Sequence, residues 1–143
     1  MLLSSFEHNV DNKGRVFVPA KMREHLGERF IVTRGIGRCL FVFSMDRWDD
    51  LCEKLRELPL TDQDSQKFVR LLLAFAVECE PDKQGRILIP QMLREYAELT
   101  ESAVVIGLMS RAEIWSPVHW QAYVDGAEEN YDSTLLNLAG KGI

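Results

Sequence analysis

Asp11-Asn12-Lys13-Gly14-Arg15 places a carboxylate and a guanidinium four positions apart around a glycine, and Asp82-Lys83-Gln84-Gly85-Arg86 repeats the arrangement 71 residues later (82 minus 11). A carboxylate already facing an arginine has its pKa depressed, which unsuits it for proton transfer near neutrality. A guanidinium at the tip of a tight turn is suited to other chemistry. Its planar fork matches a phosphate, or the O6/N7 edge of guanine, by paired hydrogen bonds. Glycine beside it lets a backbone come close to a partner and supplies the positive φ that such a turn needs. Asp11, Gly14, Asp82 and Gly85 are therefore read as the structural members of the motif. Lys13, Arg15, Arg23 and Arg86 are read as the DNA-facing ones. For the arginines the bland alternative is an ion pair that pins the turn, worth at most ~1 kcal/mol at a surface. Gln84 stands where Lys13 stands in the first copy, so the first copy is the better DNA candidate.

No other constellation in the chain carries chemistry. His8, His25 and His119 are scattered and lack any His-Glu-x-x-His pattern. No serine sits in a Gly-x-Ser-x-Gly elbow, and Gly35-Ile36-Gly37 is too short for a phosphate loop. The sequence predicts no enzyme, no cofactor and no metal site.

The repeat extends beyond the motif. Val16-Phe17-Val18-Pro19 recurs as Ile87-Leu88-Ile89-Pro90, and Arg23 recurs as Arg94, each four residues after the proline. For Arg94 the reading is a solvated helix face or an ion pair. Further on the match slips by one, Val42-Phe43-Ser44 against Ile114-Trp115-Ser116 and Trp48 against Trp120. A duplicated module accounts for this.

Each copy predicts the same elements. A strand enters (residues 8–10; 77–80), the glycine turn follows, and an unbroken β-favouring run suggests a strand covered on both faces. Proline then opens a short helix (residues 20–26; 91–99). Two more strands come next (residues 30–33 and 40–44; 103–108 and 113–115). Ser44 is placed to cap a helix carrying Trp48, Leu51, Cys52, Leu55 and Leu58 on one face. Pro59 stops it. Asp62 or Asp64 caps the next helix, and Pro117 opens a last one bearing Trp120 and Tyr123. The segment from Ser133 to Ile143 is expected to fray or to serve as a contact arm. Strands this short need partners from the other copy or another chain.

The chain has 143 residues and a net charge of −5, which on its face opposes nucleic-acid binding. The charge is uneven, however: seven of the basic residues, Lys13 to Arg38, crowd one stretch. The acids gather at residues 46–57 and 125–132. Phosphate contacts depend on the local field, so a basic face can coexist with an acidic total. Three cysteines without metal spacing, and an N-terminus without a secretory pattern, predict a reduced cytoplasmic setting, with Cys39 and Cys52 as core residues.

The doubled Asp-x-x-x-Arg motif, with Pro19, Arg23, Pro90 and Arg94 behind it, resembles the bacterial MraZ family over about residues 6–120. The resemblance implies an α+β fold: tandem SpoVT/AbrB-like repeats combined into a swapped-hairpin, double-split β-barrel with flanking helices. The division that follows is residues 5–47 and 76–119 for the repeats, 48–75 for a helical connector and 120–143 for a C-terminal helix and tail. It also implies a ring-shaped homo-oligomer and a nucleoid-associated cytoplasmic place; no membrane partner is expected, because the longest apolar stretch, Phe68 to Val77, is too short and is broken by Arg70. The implied role is transcriptional regulation on double-stranded promoter DNA of the division and cell-wall gene cluster, through short direct repeats. The alternative is a protein-interaction or antitoxin-like scaffold using the same barrel, with the acidic helix or the tail as its contact.

Overall fold

The computed structural model describes residues 1–142. The strands are β1 (Ser5–Asn9), β2 (Arg15–Phe17), β3 (Phe30–Arg34), β4 (Leu40–Ser44), β5 (Val77–Cys79), β6 (Arg86–Leu88), β7 (Ser102–Leu108) and β8 (Arg111–Trp115). The helices are α1 (Ala20–Leu26), α2 (Met45–Arg56), α3 (Gln63–Ala74), α4 (Gln91–Ala97), α5 (Pro117–Glu128) and α6 (Tyr131–Asn137).

Short strands leave unpaired edges unless another segment covers them. Here the two repeats cover each other. One antiparallel sheet runs β1-β7-β8-β4-β3-β5, and β2 pairs with β6 in a separate ribbon. The entering strand of each repeat thus joins the hairpin of the other: Phe6 faces Val105 in one half, and Phe30 faces Cys79 in the other. At the centre the two hairpins meet, with Leu40 opposite Ile114. A lone bridge between Val10 and Val16 ties β1 to β2. The hydrogen-bonded strands therefore form an open six-stranded sheet and a ribbon, without one closed ring of pairing.

The core lies on both faces of the sheet. On one, Phe30, Val32, Leu40, Val42 and Ile114 pack against Val16 and Ile87 of the ribbon and against Met22, Leu26, Leu93 and Ala97 of α1 and α4. On the other, Phe41, Cys39, Val104, Ile106 and Trp115 pack under Trp48, Leu51, Leu72 and Trp120 of α2, α3 and α5. Thr33, fully buried, donates its hydroxyl to the Leu72 carbonyl at 2.6 Å, which fixes α3 on the sheet.

Local capping sets the helix starts. The Ser44 and Ser116 hydroxyls accept from the Arg47 and His119 amides, and Asp62, rather than Asp64, accepts from the Ser65 amide. Several sequence expectations need correction. α4 stops at Ala97 because Glu98 turns left-handed at φ 53°, two residues short of the predicted end. Cys39 is buried as expected, but Cys52 is only half-buried and Cys79 takes the second core place. The expected loose tail is helical: α6 and a 3-10 turn (Leu138–Lys141) carry the chain on, almost wholly exposed. Ile143 lies outside the described residues.

Candidate nucleic-acid interface

Each motif aspartate closes its own turn. Asp11 Oδ1 accepts from the amides of Lys13 and Arg15, both at 2.9 Å, while its Oδ2 accepts from Arg15 Nε at 2.6 Å. Asp82 repeats the pattern with the amides of Gln84 and Arg86 and with Arg86 Nε, all at 2.9 Å. The main chain completes each turn, Gly14 N–H to Asp11 O and Gly85 N–H to Asp82 O, at φ 84° and 80° for the glycines. The ion pairs foreseen from the sequence are present, and the carboxylates do more than pair. They hold two amides each.

That geometry governs their acidity. The Arg15 amide, followed by the Arg15 side chain and the Lys13 amide, holds the Asp11 carboxyl down at about 2. The Arg86 and Gln84 amides and the Arg86 side chain likewise lower Asp82. Both stay ionised at neutral pH and neither is tuned for acid–base work.

The ribbon brings the two motifs together. Arg15 stands opposite Leu88 and Phe17 opposite Arg86, so these four share one face, while Val16 and Ile87 point into the core. The expectation that these strands are covered on both faces is wrong in one respect: Leu88 is 57% exposed. Phe17 is half-buried because His8 meets its ring edge-on at 4.8 Å and the Arg23 guanidinium lies 5.9 Å from its centre. The side-chain hydrogen bonds of Arg15 and Arg86 use Nε alone, and Arg86 Nη1 stands 3.8 Å from Asp11 Oδ2 of the other repeat. Beyond that ion pair, the terminal amino groups of the two arginines make no side-chain hydrogen bond among the described residues. Lys13 is exposed at the tip of the first turn and Lys83 at the tip of the second. The ribbon and the turns at its two ends thus carry four cations and two carboxylates.

Arg23 is differently placed from Lys13, Arg15 and Arg86. Its Nε donates to the Val18 carbonyl at 2.9 Å, and its guanidinium fills the space beside Gly85, where an added Cβ would come within 2.9 to 3.0 Å. Arg94 does the same to Gly14, at 2.3 to 2.8 Å. The short helix of each repeat therefore braces the turn of the other. The sequence reading of Arg94 as a solvated or ion-paired residue missed this contact. Its signal was the recurrence of arginine four residues after each proline.

Among the described residues no group of three or more His, Cys, Asp or Glu side chains could hold a metal ion. Among the described residues no helix is long and apolar enough to cross a membrane.

A duplicated α+β chain with exchanged strands and an Asp-x-x-x-Arg turn at each end of a shared ribbon defines a protein of tandem-repeat class. Residues 1–71 and 72–137 each match the family described as "MraZ protein, putative antitoxin-like". The chain is 48% identical to the transcriptional regulator MraZ of Halothermothrix orenii over all 143 residues of both chains. It is 51% identical to that of Carboxydothermus hydrogenoformans over 92% of each chain, and 56% identical to that of Caldicellulosiruptor saccharolyticus over 85% of each. The chain belongs to the MraZ family, and it is a transcription regulator rather than an enzyme.

Proposed function

We propose that the chain regulates transcription by binding DNA directly, with Lys13, Arg15 and Arg86 as the contacting side chains. The observation that carries this reading is the placement of Arg15 and Arg86, both half-buried, on the outer face of one ribbon, each steered through Nε by its own aspartate. A two-stranded antiparallel ribbon is narrow enough for the major groove of DNA. The glycine turn at its end brings the Lys13 ammonium to the phosphates. Arg23 acts from behind, through Gly85, and Asp11, Gly14, Asp82 and Gly85 build the turns.

The exchanged strands support the swapped-hairpin barrel that the family resemblance implies, with the ribbon closing over one face of the sheet. The resemblance also carries the ring-shaped homo-oligomer, the nucleoid-associated cytoplasmic place and the operator: short direct repeats at the promoter of the division and cell-wall gene cluster. Exposed apolar side chains at Ile36, Val118 and Tyr123 support self-association. In a ring each subunit lays the same turn against successive repeats, and linkage raises affinity through effective concentration.

The test is binding of the purified protein to its own upstream DNA across a salt series, with Arg15→Ala alongside and the oligomer sized for both. With about six phosphates neutralised, affinity drops on the order of a thousandfold between low and moderate salt. Loss of one base-reading arginine costs about 1–3 kcal/mol per contact, with oligomer size kept. Equal binding by both proteins, or none at low salt, defeats the reading and returns the edge to a structural role. The protein-interaction alternative then takes its place.

A further inference from the structure

A second cationic feature lies away from both turns, at the β3–β4 hairpin. The Arg34 guanidinium is sandwiched, its Cζ 3.8 Å from the Phe75 ring centre and 4.5 Å from that of Tyr96. Arg38 Cζ lies 5.5 Å from the same Tyr96 centre, so the two charges are no more than 10 Å apart. The Tyr96 hydroxyl donates to the Gly35 carbonyl at 2.6 Å, which fixes the ring under the hairpin.

Three observations make this pair unusual. Among the described residues, neither arginine is within ion-pair distance of a carboxylate, in a chain with 22 acids against 17 lysines and arginines. Arg34 Nε is enclosed without a hydrogen-bond partner, a state it shares only with Arg94 Nε among the described side chains. Arg38 holds a left-handed backbone at φ 66°, which side-chain-bearing residues adopt rarely. Stacking on an aromatic face stabilises each cation but neutralises neither, and two nearby guanidinium groups repel. A forked, delocalised pair of this kind is complementary to a phosphate, which accepts several N–H bonds and cancels the repulsion. The corresponding corner of the second repeat is built otherwise: Leu2 bridges to Met109 there, and the backbone of Leu2 and Leu3 packs on Gly107. The pair therefore occurs once per chain.

We infer that Arg34 and Arg38, seated on Phe75 and Tyr96, form a phosphate-binding site distinct from the two Asp-x-x-x-Arg turns. The phosphate is either a phosphodiester of bound DNA or that of a free small molecule, and the chemistry of recognition is shared.

The experiment is a calorimetric titration of the full chain with inorganic pyrophosphate at fixed ionic strength, for wild type, Arg38→Gln and Arg38→Lys. Arg38 is exposed, so its replacement leaves the core intact. Alongside, DNA affinity is followed across a salt series for the same three proteins. Saturable pyrophosphate binding that falls at least tenfold in Arg38→Gln and partly returns in Arg38→Lys, with DNA binding unchanged, identifies a small phosphate ligand. A salt slope reduced by about one in Arg38→Gln identifies the DNA backbone. Pyrophosphate binding that is absent or unaffected by Arg38→Gln, together with an unchanged salt slope, overturns the site. A wild type that binds no DNA defeats the regulator's DNA contact but leaves the pyrophosphate arm to decide this one.

Discussion

The guanidinium of Arg94 occupies the space that a side chain at Gly14 would need: a Cβ there would sit 2.3 Å from Nη1 and 2.5 Å from Cζ. Gly14 closes the first turn, one residue before β2, and Arg94 rides on the short helix of the second repeat, so the contact makes one repeat set the shape of the other's turn. It also gives Gly14 two reasons to be glycine, its φ of 84° and the arginine beside it.

Those two reasons can be separated by a double-mutant cycle. Gly14→Ala suffers the left-handed backbone penalty of ~1–2 kcal/mol and the clash. In an Arg94→Ala background only the backbone penalty remains. The expected coupling is on the order of 1 kcal/mol or more, measured by denaturant unfolding of the four proteins. Strictly additive costs would show that Arg94 does not rest on Gly14 in solution.

Acid should open the turns well below physiological pH. The Asp11 carboxyl is depressed from 3.8 to about 2 by the amides and guanidinium it holds, so its contribution is complete above pH 3.8 and disappears as pH falls through 2. Asp82 shifts in the same direction. A carboxyl-carbon NMR titration should place the Asp11 midpoint near 2 and that of Asp82 below 3.8. An unshifted Asp11 would mean that the turn is not formed in solution.

Much of this arrangement can be read from residue order. The repeated Asp, Gly, Arg and Pro positions reveal two equivalent turns, and the short strands call for partners from the other copy or another chain. What order alone withholds is contact between residues far apart. Arg94 and Gly14 meet only because each repeat's helix reaches across to the other's turn. Val16-Phe17-Val18 and Ile87-Leu88-Ile89 are apolar throughout, so hydropathy cannot tell which of their faces is covered. Phe17 is shielded by His8 and Arg23, two polar side chains, while Leu88 stays open. Tyr131, Leu135 and Leu138 stand at helical spacing after Asn130, yet α6 adds no residue to either core cluster, so that pattern records no packing within the chain.

Neighbours on β6 should behave oppositely. Ile87 has no exposed surface and lies in the main core, so Ile87→Ala should cost ~2–5 kcal/mol through lost burial and the cavity left behind. Leu88→Ala, one residue on, should change stability by no more than ~0.5 kcal/mol. Thermal unfolding of both variants tests the one-sided burial of the ribbon. A comparable loss for Leu88→Ala would mean that its outer face is covered in the assembled protein.

Glycine in the helix α5 offers the converse of Gly14. Gly126 is two residues from the end of α5, and a Cβ built there meets nothing within 4 Å. Its φ is not left-handed, so alanine can be accommodated without strain. Glycine within a helix costs roughly 0.5–1 kcal/mol relative to alanine, because the unfolded chain has more freedom to lose. Gly126→Ala should therefore stabilise the protein by up to that amount and leave both Asp-x-x-x-Arg turns unaltered. Unfolding curves at two protein concentrations give the answer. A gain independent of concentration places this face of α5 in solvent, whereas a loss that grows with dilution would show that Gly126 lies against another subunit, close enough for one methyl group to disturb the assembly.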